Sequence, residues 1–94
     1  MKSLKFILSF IKNREWVIIG TETCPYCLNA KNLLEKNNIK FTFLNLHELA
    51  EIFQMTEKDI IAELNKYTKN YKFIPMIFYN SKFIGGFDQL KTYF

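Results

Sequence analysis

The chain of 94 residues is the size of one small domain, and its 49% hydrophobic and 17% aromatic content, against three Gly and two Pro, excludes a disordered or collagen-like chain. Two cysteines exclude a disulfide-rich secreted scaffold, and no apolar run approaches the roughly 18–20 residues of a membrane-spanning helix. The 13 basic residues exceed the 9 acidic ones, for a net charge of +4, but the excess is scattered lysine with Arg14 as the only arginine. Base reading and bidentate phosphate contacts lean on arginine, so this balance argues for a solvated surface and against a nucleic-acid interface.

From Met1 to Lys12, the residues Leu4, Ile7, Leu8 and Ile11 fall at i, i+3, i+4, i+7, the stripe of an amphipathic helix, and Phe6 and Phe10 broaden it. Lys5 and Lys12 bracket too short an apolar run for a signal peptide, and no small-x-small cleavage site follows. A docked first helix is expected, not an address. Trp16-Val17-Ile18-Ile19 is a continuous apolar run that suits a strand buried on both faces. Gly20 to Thr23 reads as a loop, and Pro25 fits the first turn of a helix running to about Glu35. Cys27, Ala30, Leu33 and Leu34 form its inward face, and Asn37-Asn38 end it. Phe41 to Leu44 is a second strand, which the intervening helix makes parallel to the first.

Asn45 to Met55 is an apolar connection expected to pack, with some helix in it. Thr56-Glu57-Lys58-Asp59 reads as a capping box ahead of a helical face made by Ile60, Ile61, Leu64 and Tyr67. Phe73 to Tyr79 is a strand interrupted at its entry by Pro75, and Asn80-Ser81 turns it into an antiparallel partner, Lys82-Phe83-Ile84. Gly85-Gly86 break that strand, and a last helix is expected between Phe87 and Phe94. The predicted order is α-β-α-β-α-β-β-α: one α/β domain over residues 1–94, with a mixed four-stranded sheet flanked by helices on both faces.

The chemistry is concentrated in Cys24-Pro25-Tyr26-Cys27. Two cysteines three residues apart at a helix start can close a small disulfide ring while one of them stays exposed. The first faces the unpaired N–H groups and the positive end of the helix dipole, which favour its thiolate. The second, one turn in, is buried and positioned to attack a mixed disulfide on the first. A structural zinc site needs about four Cys or His ligands, whereas the chain offers two cysteines and His47, so no metal is expected. His47 reads as a surface or packing residue, not a catalytic base.

Those four residues resemble the active site of the dithiol glutaredoxins of the thioredoxin fold, as do the preceding Glu22-Thr23, the Ile74-Pro75 pair and the segment Ile84-Gly85-Gly86-Phe87-Asp88. The ending through Gln89-Leu90, with Tyr93-Phe94 close behind, is most similar to phage and viral glutaredoxins. The resemblance implies Cys24 as nucleophile and Cys27 as resolving thiol. It implies that Pro75 is cis and faces the nucleophile, which leaves the Ile74 backbone free to pair antiparallel with the cysteinyl part of glutathione. Gly86, Phe87 and Asp88 would hold the γ-glutamyl end, and Tyr26 would line the groove beside the sulfur. Relatives carry Lys or Arg three residues before the nucleophile, to meet the glycyl carboxylate. This chain has Thr21 there, and Lys72, with Lys69 as second choice, would supply the missing charge.

The implied function is glutathione-dependent thiol–disulfide exchange on protein disulfides and protein–glutathione mixed disulfides. It needs no permanently bound cofactor, with glutathione as reducing co-substrate. The expected partners are glutathione and disulfide-containing or glutathionylated proteins, ribonucleotide reductase among them. The expected state is a monomer in a reducing cytoplasm (a host's, if the source is viral), with no nucleic acid and no membrane as partner. Two alternatives are a [2Fe-2S] cluster carrier ligated by glutathione and a non-catalytic binding module on the same fold. Pro25 argues against the first, because cluster-binding relatives tend to carry a smaller residue there.

Overall fold

The computed structural model describes residues 5–94, so Leu4 of the predicted first helix lies outside the described residues. In chain order the elements are α1 (Lys5–Lys12), β1 (Trp16–Gly20), α2 (Pro25–Lys36), β2 (Thr42–Asn45), α3 (Leu46–Phe53), α4 (Glu57–Leu64), β3 (Met76–Tyr79), β4 (Lys82–Gly85) and α5 (Phe87–Lys91). The strands form one sheet in the order β2-β1-β3-β4. β1 pairs parallel with β2 and antiparallel with β3, and β3 pairs antiparallel with β4.

Strand periodicity divides the core into two layers. In β1, Val17 and Ile19 face one side with Met76 and Phe78 of β3, where α1, α3 and α4 cover them with Ile7, Leu46, Ile60 and Leu64. Trp16, Ile18 and Ile77 face the other side, beneath Ala30 and Leu34 of α2 and Leu90 of α5. Every residue of β1 is buried, which is why it reads as an unbroken apolar run. The half-buried residues of β2 belong to an edge strand.

Several elements differ from the sequence reading, each for a local reason. The connection after β2 is a full helix, α3, and Asn45 caps it by accepting the His47 N–H at 2.8 Å. Gln54, in the left-handed region at φ 53°, separates α3 from α4 without a glycine to announce the break. Thr56 caps α4 as expected, its Oγ1 accepting the Asp59 N–H at 3.0 Å. Tyr67 lies beyond α4 and is exposed, so only Ile60, Ile61 and Leu64 form that face. Phe6 is likewise exposed, and Leu33 is only half-buried.

β3 starts at Met76, after Pro75, and not at Phe73. The Asn80-Ser81 turn has both residues at positive φ, 50° and 73°, the geometry of a two-residue hairpin. Gly85 belongs to β4, with its break following at Gly86. The final helix stops at Lys91, where Thr92 Oγ1 donates to the Gln89 carbonyl at 2.7 Å and the chain tightens into i→i−3 bonds.

Candidate active site

Three connections meet at one end of the sheet. The C-terminal end of β1 leads into α2, the Ile74-Pro75 segment enters β3, and β4 leaves into α5. The register brings them together, since Ile19 pairs with Met76 and Ile77 with Gly85.

Cys24 is the N-cap of α2, extended at φ −83° and ψ 116°, with Pro25 opening the first turn behind it. Its sulfur accepts the Cys27 N–H at 3.3 Å and lies 3.9 Å from the Ile74 carbonyl oxygen. The Ile74–Pro75 bond is cis, as the resemblance implies. Both cysteines are free thiols; Cys24 is half-buried and Cys27 fully buried. Burial pushes the Cys27 thiol from 9.0 up to about 12, aided by its hydrogen bond with Cys24, while the Thr21 backbone and the Lys31 charge pull the other way. Lys31, one turn beyond Cys27, is held 4.6 Å above the Phe43 ring.

The two thiols therefore differ in access, and the difference traces to β1. Gly20 has the same parity as Ile18, so it faces α2, and a Cβ at this position would collide with the Cys27 sulfur. Glycine lets the first turn of the helix settle onto the strand.

Beside Cys24 runs a groove of about 330 Å³ lined by Tyr26, Tyr71, Phe73, Ile74, Pro75, Phe87, Asp88 and Gln89. Tyr26 is exposed, with its ring 6.3 Å from that of Phe87. At the far end Gly86 is the N-cap of α5, and the Gln89 Oε1 accepts its N–H at 2.8 Å. The Tyr71 hydroxyl occupies the space a Cβ on Gly86 would need. Burial, and the negative charge of Asp88 after it, push the Tyr71 phenol above its ordinary value of 10.0.

Of the residues the sequence singled out, Tyr26, Ile74, Pro75, Phe87 and Asp88 line this groove, with Cys24 beside Ile74 and Gly86 against the Tyr71 hydroxyl. Thr21 is buried behind the cysteines, its hydroxyl 3.5 Å from that of Thr23. Lys72 is exposed and lines a separate depression with Lys58, Ile61 and Asn65 of the α4 region, whereas Lys69 lines a third, against α1 and the β3–β4 hairpin. His47 is a surface residue paired with Glu57. Among the described residues no group of three or more His, Cys, Asp or Glu could hold a metal ion, and no helix is long and apolar enough to cross a membrane. Sequence reasoning missed Gly20, Tyr71, Phe73 and Gln89. Only Gly20 left a signal, as one of three glycines in the chain, standing where the strand hands over to the helix.

A cysteine pair at the start of the helix after β1, opposite a cis-proline on a mixed four-stranded sheet, defines a thiol–disulfide oxidoreductase of the thioredoxin fold. The chain belongs to the glutaredoxin family, whose model matches residues 16–84. It is 36% identical over 74 residues to the glutaredoxin of Enterobacteria phage T4, an alignment covering 76% of this chain and 84% of the phage protein. The solution structure of the dithiolic glutaredoxin of Trypanosoma brucei brucei superposes with a TM-score of 0.75 at 29% identity, covering 98% of this chain and 86% of that one. A buckwheat glutaredoxin–glutathione complex shares the fold, with a TM-score of 0.78 at 23% identity over 95% of this chain and 76% of that one.

Proposed function

We propose that this protein uses glutathione to reduce protein disulfides and protein–glutathione mixed disulfides, acting through Cys24 and Cys27. The observation that carries the reading is the inequality of the two thiols. Cys24 stands half-exposed at a helix N-terminus beside the groove residue Ile74, while Cys27 waits fully buried one turn behind.

With a glutathionylated protein, the Cys24 thiolate attacks the glutathionyl sulfur and the protein thiol leaves. A second glutathione then attacks the Cys24–glutathione disulfide, giving oxidised glutathione and restoring Cys24. With a protein disulfide, Cys24 forms a mixed disulfide with the substrate, and Cys27 attacks the Cys24 sulfur and releases the reduced protein. Two glutathiones then reduce the resulting Cys24–Cys27 disulfide. Cys27 is fully buried during the first attack, which leaves Cys24 as the thiol that meets substrate.

Glutathione is placed with its cysteinyl residue antiparallel to Ile74, its γ-glutamyl carboxylate at the first N–H groups of α5, and its ammonium at Asp88. The buckwheat protein was solved with glutathione, which supports a groove of this kind on the shared fold. Thr21 carries no charge, and Lys72, whose side chain lines the neighbouring depression beside α4 and which precedes the groove residue Phe73, is the cation we assign to the glycyl carboxylate. The 94 residues act as a single monomeric domain in a reducing compartment, the cytoplasm or a host's, as the phage relative suggests. Ribonucleotide reductase is the protein partner that the likeness to phage glutaredoxins favours.

A glutathione-reductase-coupled assay with a glutathionylated peptide tests the reading. Wild type turns over, Cys27→Ser keeps this reaction while losing reduction of protein disulfides, and Cys24→Ser loses both. Turnover by Cys24→Ser would overturn it.

A further inference from the structure

Phe73 is 70% exposed, more than any other large apolar side chain among the described residues. Its ring is nevertheless braced. It stands edge-on to Tyr71 at 5.7 Å and 78°, and Tyr71 leans on Phe83 at 5.3 Å. The exposed ring lines the groove beside Cys24, immediately before Ile74.

Register decides what meets it. With the attacked cysteine opposite Ile74 in an antiparallel pairing, the residue that follows this cysteine lies opposite Phe73. Directly opposed residues of an antiparallel pair share a face, so their side chains touch. In glutathione that residue is glycine, which offers the ring nothing. A polypeptide substrate places a side chain there, and formation of the mixed disulfide with Cys24 obliges this stretch of substrate to lie across the groove.

We propose that Phe73 is a specificity-determining residue, selecting protein disulfides in which an aromatic or large aliphatic residue directly follows the attacked cysteine. This rests on the exchange reaction and the Ile74 pairing proposed above. In the selected step the Cys24 sulfur bonds to the substrate sulfur, the substrate disulfide breaks, and the departing thiolate takes a proton from water. Cys27 then forms the Cys24–Cys27 disulfide and releases the second substrate thiol, so one protein dithiol is oxidised as one substrate disulfide is reduced.

The test uses reduced protein without glutathione and symmetrical disulfide dimers of a neutral, blocked peptide Ser-Cys-X-Ser, following release of peptide thiol under second-order conditions. With X as Phe or Leu, wild type reacts about fivefold faster than with X as Gly, the scale of one aromatic contact. Phe73→Ser brings that ratio within about twofold, and Phe73→Leu falls between. A dimer carrying Phe before the cysteine and Gly after it gains nothing. Equal rates across X in wild type, an undiminished preference in Phe73→Ser, or an equal gain from Phe before the cysteine each overturns the assignment while leaving the exchange reaction standing. If no dimer oxidises the protein, the exchange reading falls and the assignment with it.

Discussion

At the scale of single residues, the site is two cysteines made unequal by their surroundings. Burial pushes the Cys27 thiol up to about 12 in the folded state, against 9.0 for the ordinary thiol. Between those values the unfolded chain has lost a proton that the folded chain retains, so the fold loses stability as pH rises. The contribution is fully present below pH 9 and falls by up to about 1.4 kcal/mol per pH unit above it. Tyr71, also raised, adds a decline of the same sign above pH 10. Urea titrations of the reduced protein between pH 8 and pH 11 check this: Cys27→Ala should show a visibly shallower decline than wild type, and Tyr71→Phe a shallower one only at the alkaline end.

Lys72 makes a second residue-scale prediction. An exposed ion pair is worth about 0–1 kcal/mol, so Lys72→Ala should raise the apparent glutathione constant by about fivefold at most, and more at low salt than at high. Steady-state deglutathionylation at two ionic strengths measures it. No response to the substitution would assign Lys72 to the solvated surface and leave binding to the groove's shape and backbone.

At the scale of elements, the ends matter more than the middles. β4 hands over to α5 through Gly85 at φ 121°, a backbone conformation that L side chains rarely adopt, and the Gln89 side chain crowds the position where a Cβ would go, its Cγ 2.7 Å away. Gly85→Ala should therefore destabilise the fold by about 1–3 kcal/mol and loosen the end of the groove that Gly86 and Asp88 form. A lowered urea midpoint together with a raised glutathione constant is the expected pair of readings. A midpoint unchanged within error would show that the backbone relaxes at no cost.

The same element scale shows what was legible in the sequence. Trp16 to Ile19 is apolar at every position because both faces of β1 are covered, and Pro25 after two loop threonines marks the start of α2 without any tertiary information. The start of α4 was legible in its Thr56 cap, but the end of α3 was not, because Gln54 adopts a left-handed conformation that glycine or asparagine more commonly signals. Lys69 does the same ahead of the groove, at φ 53°. Within the site, Cys24, Cys27 and the Ile74-Pro75 pair could be read because their chemistry is local. Tyr71 could not, since its place is set by contact with Gly86, fifteen positions along the chain, and by its packing on Phe83.

At the scale of the whole molecule, one sheet separates two apolar layers, and the site lies where three connections leave its end. α2 rests on the sheet through Cys27, Ala30 and Leu34, so the cysteine proposed to resolve the mixed disulfide is itself a core residue. Cys24, one turn earlier, is the first residue of that segment to emerge. The frame thus sets the different exposure of the two sulfurs, which suits the proposed reaction in which one thiol meets substrate and the other acts only afterwards.

Intact-mass analysis of the two single cysteine variants, mixed at neutral pH with excess oxidised glutathione, tests that division of labour most directly. Cys27→Ser should acquire one glutathionyl group on Cys24 rapidly and lose it when reduced glutathione is added, while Cys24→Ser stays unmodified over the same interval. Glutathionylation of Cys27 in the Cys24→Ser protein at a comparable rate would contradict the account.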